Sequence, residues 1–379
     1  MPRRKPSAGP LSPNEATGII RQAPASLAGR SAAIREAWMD YRWLGKTGLR
    51  VSPLCLGAMM FGPRGNPDHE DAARIIHRAL EAGINFVDTA DVYSAGESEE
   101  IVGKALEGSR RDGVILATKA HGAMGADPNQ QGNSRRWLVR EVEDSLRRLR
   151  TDWIDLYQIH RPDPETDHDE TLSALTDLVR AGKIRYFGSS TYPAHEIVEA
   201  QWVAKTRGLG RFVTEQPPYS LLVRGIECDV LPVAEQYGMG VLPWSPLAGG
   251  WLSGRYRLGQ EPPQTRRAER FPLRYDLSRG ENRLKLERAD ALAVLAENAG
   301  LTLVHMAIAF VIAHRAVTSA IIGPRTMEQL DTQLGAADIA LDAGVLDAID
   351  AIVPPGVNSS PNDGGYEPPA LTDPARRRR

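Results

Sequence analysis

The chain has 379 residues, 42% hydrophobic and 25% charged, enough apolar material for a sizeable core in one large domain or two average ones. Its 46 Lys and Arg against 48 Asp and Glu leave a net charge of −2, so the balance gives no reason to expect a nucleic-acid or membrane surface. Two cysteines, Cys55 and Cys228, are too few for a disulfide framework and suit a reducing compartment, and no apolar run is long enough to span a bilayer, so a cytoplasmic location is the expectation.

Residues 1–38 are rich in Ala, Ser, Pro and Arg and lack periodicity, which predicts a disordered extension or a start codon placed too early. A transit peptide is the weaker alternative, and Met1-Pro2-Arg3-Arg4-Lys5 makes a poor secretory signal because no apolar core follows it. The folded domain is expected over residues 39–353. It opens with a hairpin in which Gly45-Lys46-Thr47-Gly48 turns between residues 41–44 and 49–51. Short apolar strands are then predicted at 54–56, 85–87, 114–117, 154–157, 186–188, 212–214, 240–242 and 320–322. Helical spacing fills the gaps at 69–82, 171–181, 194–207, 229–237, 284–299 and 326–334. A further helix, capped by Ser134, buries Leu138, Val142, Leu146 and Leu149.

Alternation of strand and helix implies right-handed crossovers and a parallel sheet. Eight units fit a closed (β/α)8 barrel of the TIM type, with the hairpin as a bottom seal. An open doubly wound sheet is the alternative, but the segment after the first strand, Gly57-Ala58-Met59-Met60-Phe61-Gly62, lacks G-x-G-x-x-G spacing. The polar stretch 255–281 is too long for an ordinary connection and reads equally as a lid or a passive insertion. Residues 354–379 are Pro-, Gly- and Asn-rich and are expected to be an irregular tail ending in solvated arginines.

Barrel sites sit at the C-terminal ends of the strands. Asp88, Lys119 and His160 close the second, third and fourth predicted strands, and Tyr93 lies on the loop after the second. Each alone has a bland reading: a helix cap, a solvated strand end, a packed aromatic. Placed together they form a proton-donating site. An ammonium on Lys119 favours the phenolate of Tyr93, Asp88 offsets the cost of burying that cation, and His160 hydrogen-bonds a substrate oxygen. Tyr93 and His160 would then polarise a carbonyl and protonate its oxygen.

These segments resemble the aldo-keto reductases over residues 41–350. Leu54-Cys55-Leu56-Gly57 is similar to the family's first-strand signature. Asn85-Phe86-Val87-Asp88-Thr89-Ala90-Asp91-Val92-Tyr93 matches its Asp-to-Tyr motif, and Thr118-Lys119 and Ile159-His160 match its Lys and His segments. The resemblance implies a catalytic tetrad of Asp88, Tyr93, Lys119 and His160, no metal, and NADPH/NADP+ as cofactor. Gly188-Ser189-Ser190 resembles the Gly-x-Ser-Asn segment that holds the nicotinamide carboxamide, which assigns Ser189 and Ser190 to that task with Gln216 completing it. Trp244-Ser245-Pro246-Leu247 resembles the segment whose aromatic residue stacks on the nicotinamide. The Gly250-containing loop through Arg255 resembles the cover over the pyrophosphate, with Arg255 where the family often has Lys. Gly323-Pro324-Arg325-Thr326 resembles the grip on the adenosine 2′-phosphate, followed by contacts from Gln329 and Gln333. The family's Glu-Asn pair is Thr332-Gln333 here.

The implied activity is reduction of an aldehyde or ketone, with a small-molecule carbonyl substrate and neither nucleic acid nor membrane as partner. Alternatives are a redox-sensing regulatory subunit, as in the potassium-channel β-subunit branch, or reduction of a keto-sugar or enoyl intermediate.

Overall fold

The computed structural model describes residues 39–376, so the expected N-terminal extension lies outside the described residues. Strands β1 (Arg42–Trp43) and β2 (Arg50–Val51) pair antiparallel as a hairpin. Its turn lies against the strand that starts at Gly240: a side chain at Gly45 would come within 2.6 Å of the Gly240 nitrogen, and Gly45 has φ +53°. Leu44 and Val51 are fully buried and pack with Cys55, Phe86, Ala117, Leu156, Leu242 and Ile321. That cluster is the interior of the barrel, so the hairpin plugs its N-terminal end.

Eight strands follow: β3 (Leu54–Gly57), β4 (Phe86–Asp88), β5 (Ile115–Ala120), β6 (Ile154–Ile159), β7 (Ile184–Ser190), β8 (Thr214–Gln216), β9 (Gly240–Val241) and β10 (Ala320–Ile322). Each is parallel to its sequence neighbour, and β10 returns to pair with β3. The remaining seam is closed by a parallel bridge between Val241 and Val317 and by bonds from Thr318 N to Val241 O (2.9 Å) and Ile321 N to Pro243 O (2.8 Å). This is the expected (β/α)8 barrel.

The helices are α1 (His69–Glu81), α2 (Glu97–Ala105), α3 (Arg135–Leu149), α4 (His168–Arg180), α5 (Ala194–Arg207), α6 (Val230–Tyr237), α7 (Arg266–Arg270), α8 (Gly280–Asn298), α9 (Leu303–Ala313), α10 (Met327–Leu334) and α11 (Ala343–Ile352). Local chemistry explains their starts. Asp68 accepts from the amides of Glu70 and Asp71 before α1, and Ser134 accepts from Trp137 N before α3. Their apolar stripes form a second core layer between helices and sheet, in which Leu138, Val142, Leu146 and Leu149 are buried as expected. The spacing did not reveal α2, α7, α9 or α11. α9 is buried at Met306, Ala307, Ile308, Ala309, Phe310 and Val311 in unbroken succession, so it has no polar face to mark a period. Among the described residues, no single helix is long and apolar enough to cross a membrane.

The two irregular stretches are tied to the barrel mouth. Within 255–281, Tyr275 stacks on Trp251 at 5.5 Å and donates to the Gly249 carbonyl at 2.8 Å. In the tail, Asp363 forms a 3.0 Å ion pair with the buried Lys285 of α8, and Asn358 accepts from Gly225 N at 2.7 Å.

Candidate active site

Side chains two residues apart on a strand share a face, so register fixes which ones enter the barrel. Lys119 lies opposite Gln158, and Gln158 opposite Gly188. Asp88 from β4 and Lys119 from β5 point inward and are 3% and 0% exposed. The Lys119 ammonium donates to Asp88 Oδ1 at 2.5 Å, to the Thr89 carbonyl at 2.7 Å and to the Tyr93 hydroxyl at 3.4 Å. The ring of His160, just beyond β6, stands edge-on to that of Tyr93 with 5.7 Å between centroids. All four members of the expected tetrad therefore meet at the C-terminal end of the barrel.

Tyr93 is aimed by an unusual stretch of backbone. Its amide donates to the Ala90 carbonyl at 3.1 Å. Ser94 and Ala95 then both adopt left-handed φ values, +52° and +56°, followed by Gly96 at +96°. A side chain at Gly96 would come within 2.8 Å of Arg148 Cδ. Non-glycine residues in this region carry strain, which persists only where surroundings hold it. Among the described residues, every non-glycine residue with positive φ except Arg150 belongs to a segment assigned to the site or directly adjoining one: Ser94, Ala95, Thr191, Ser245 and Ala248.

Electrostatics sets the protonation states. Burial pulls the Lys119 ammonium down, but the Asp88 carboxylate and the bonds to Asp88 and Tyr93 outweigh it and hold Lys119 above its ordinary value, so it is a cation. Burial, helped by the nearby cations Lys119 and Arg161, drives His160 well below the usual imidazole range, so it is neutral. A neutral imidazole offers one N–H to an incoming oxygen without adding charge.

The second oxygen of Asp88 has partners that the motif comparison missed. Oδ2 accepts from Gln158 Nε2 at 3.0 Å and from Gln216 Nε2 at 2.9 Å, and Gln216 Nε2 also donates to Gln158 Oε1 at 3.2 Å. Gln158 precedes His160 by two positions, so strand parity alone could have placed it inward.

The expected cofactor residues divide. Ser190 faces inward and donates to the Gln216 carbonyl at 2.9 Å. Ser189 is turned the other way and corrects the expectation: it donates to the buried Glu215 of β8 at 2.5 Å, outside the barrel, because parity puts Gly188 and Ser190 on the inner face. The burial of Glu215 raises its carboxyl to about 7 despite that bond. Thr191, at φ +62°, comes next to Ser190 instead, its hydroxyl 3.3 Å from that of Ser190 and accepting from Arg161 Nη1 at 3.2 Å.

Trp244 is half-buried against the inner core, its amide bonded to the Pro217 carbonyl at 2.9 Å. Ser245 follows at φ +58°, Pro246 is buried, and the Leu247 carbonyl receives Gly250 N at 2.8 Å. A cleft runs from Trp244 and Ser245 past Gly249 to Arg267 and Lys285, and no member of the tetrad lines it. Arg255 is exposed and meets no carboxylate among the described residues. The Arg325 amide donates to Gln329 Oε1 at 2.9 Å, so that oxygen of Gln329 shapes the loop ahead of α10. Gln333 is buried, and its Oε1 has no partner among the described residues.

The aldo/keto reductase family model matches residues 53–354. The chain belongs to the aldo/keto reductase family. It is 43% identical over 327 residues to an uncharacterized oxidoreductase, YrpG, of Bacillus subtilis, covering 83% of this chain and 96% of the relative. It is also similar to a probable voltage-gated potassium channel subunit beta of Oryza sativa, at 36% identity over 83% of this chain and 97% of that one. A putative subunit of the same description in Schizosaccharomyces pombe is 33% identical over 83% and 93%.

Membership makes the chain an oxidoreductase, and the aldo/keto reductases generally use a nicotinamide dinucleotide. The residues present fit such a group. The orphaned Gln333 oxygen is a buried acceptor that needs a donor. Among the described residues, no atom beyond the adjoining residues lies within 4 Å of where a side chain would start at Gly250 or Gly323, which leaves room for a ligand to approach the backbone.

Proposed function

We propose that this aldo/keto reductase reduces the carbonyl group of a small aldehyde or ketone to an alcohol, with NADPH as reductant and Tyr93 as general acid. The observation that carries the reading is the Tyr93 hydroxyl 3.4 Å from a buried ammonium that Asp88 holds in place. When bound, the dinucleotide supplies a hydride to the carbonyl carbon. Ser190, Thr191 and Gln216 would hold its carboxamide, Trp244 its ring, the Gly250–Arg255 loop its pyrophosphate, and Arg325 with Gln333 its adenosine end.

The protein's own steps concern the oxygen. Neutral His160 donates a hydrogen bond to the carbonyl oxygen and fixes its direction. Tyr93 gives its hydroxyl proton to that oxygen as charge builds there, and a phenolate remains. At 3.4 Å the attraction between phenolate and ammonium is about 5 kcal/mol at an effective dielectric of ~20, before desolvation costs. Asp88 keeps Lys119 charged, and solvent protons restore the phenol. The separate free thiols Cys55 and Cys228 support the cytoplasm as the working compartment.

Likeness to proteins described as channel β-subunits supports a second reading, in which the barrel binds the dinucleotide and acts chiefly as a partner protein. A screen of NADPH oxidation against aldehydes, quinones, ketosteroids and keto-sugars separates the two. Turnover of at least one carbonyl class supports the reductase. Tight NADPH binding without turnover, together with a co-purifying protein, supports the other.

A further inference from the structure

We infer that Gln158 is a positioning residue that sets the side-chain amide of Gln216, and thereby ties cofactor recognition to the Asp88–Lys119 pair; the inference rests on the reductase reading above. The argument begins with Asp88. An ionised carboxylate only accepts hydrogen bonds, and its Oδ2 lies 3.0 Å from Gln158 Nε2 and 2.9 Å from Gln216 Nε2. Both glutamines must therefore turn their NH2 groups toward it. Each NH2 carries two hydrogens, and the second one of Gln216 goes to Gln158 Oε1 at 3.2 Å. Both hydrogens of Gln216 are then committed.

What Gln216 has left is its carbonyl oxygen. Gln216 Oε1 accepts no bond from the described residues, and it is absent from the buried atoms that lack partners, so it reaches the opening. A nicotinamide carboxamide has one donating and one accepting end. A pure acceptor at this position selects the NH2 end and so helps to fix which way round the ring is held. Gln158 makes Gln216 a pure acceptor. Without it, one hydrogen of Gln216 is uncommitted and the amide can swing, while Asp88 loses one of three donors. Gln158 is fully buried, so water has no ready path to replace it. Packing does not require an amide here, since Met fills a similar volume.

The test uses the full chain with Gln158→Met and Gln158→Glu. Three quantities are read: the dissociation constant of NADPH by fluorescence titration, the side-chain amide NMR signals of Gln216 with their exchange protection, and the pH dependence of turnover. Gln158→Met is expected to fold, to weaken NADPH roughly tenfold, the worth of a hydrogen bond to a charged group, and to lose protection at the Gln216 amide. Gln158→Glu is expected to work toward acid pH, where its carboxyl can still donate to Asp88. It should fail as that carboxyl ionises beside Asp88, giving a pH limb that the parent lacks.

A Met variant with parental NADPH affinity and unchanged Gln216 signals overturns the inference. If the Met variant does not fold, a Glu variant with no new pH limb overturns it. A parent chain that binds neither NADPH nor NADH defeats the reductase reading instead, and the Gln216 signals then still decide whether Gln158 sets that amide.

Discussion

Replacing Asp88 by Asn keeps the shape of the side chain and removes its charge. Lys119, 0% exposed, then loses a 2.5 Å ion pair with no solvent to compensate. Removing one partner of a buried pair costs about 3–5 kcal/mol. The retained amide oxygen can still accept one bond, which places the expected loss near 3 kcal/mol, at the low end of that range. With an unfolding entropy of about 2.1 cal/mol/K per residue, a chain of this size should melt roughly 4 °C lower.

The pH dependence is more diagnostic than the magnitude. In the parent, Lys119 titrates above its ordinary 10.5, because Asp88 and Tyr93 overcome burial. Its stabilisation is therefore complete below pH 10.5 and is lost only as pH rises through that higher value. In Asp88→Asn, burial prevails and the folded-state value falls below 10.5, so the variant should gain stability as pH climbs toward 10.5. The stability gap between the two proteins should narrow between pH 8 and 10.5 in urea denaturation. Adding Lys119→Met to Asp88→Asn removes the stranded charge and should restore part of the loss. A double variant no more stable than the single one, or a gap independent of pH, would refute the ion-pair reasoning.

Three further outcomes are expected. Tyr93→Phe should lower carbonyl reduction by about 10²-fold or more, the usual worth of a general acid, with the NADPH dissociation constant nearly unchanged; equal single-turnover rates in the two proteins would remove Tyr93 from that role. Arg325→Ala should raise the Michaelis constant for NADPH more than that for NADH, and an equal rise for both would rule out a 2′-phosphate contact. His160 sits well below 6.5 when folded, so the unfolded chain takes up its proton first and the stability it supports is lost as pH falls below 6.5. His160→Gln should therefore lose less stability than the parent between pH 7 and 5, by up to about 2 kcal/mol, as melting curves at the two pH values would show.

The reach of sequence reasoning here follows from which physical signals are local. Asp88, Lys119 and His160 were legible because each polar side chain ends a short apolar run, and a barrel sends such ends to one rim. Helices with one apolar face and a capping residue, such as α1 and α3, were legible for the same local reason. α9 was not, since a helix buried on all sides has no period to read. The tail read as irregular from its Pro, Gly and Asn content, yet Asn358 and Asp363 are held by Gly225 and Lys285, partners 133 and 78 residues away. No local pattern encodes such pairs.

The site's remaining gap was one of parity rather than distance. Matching Gly188-Ser189-Ser190 to a motif assigned Ser189 a role from its position in a string, but a strand presents alternate residues to opposite faces. Once Gln158 is taken as inward, being two residues before His160, its register partner Gly188 is inward, Ser190 follows, and Ser189 must face the helices, where Glu215 holds it. The same step turns Gln158 from strand filler into the neighbour of Asp88 and Gln216. A motif names the residue types that chemistry needs; the pleat decides which of them can reach it.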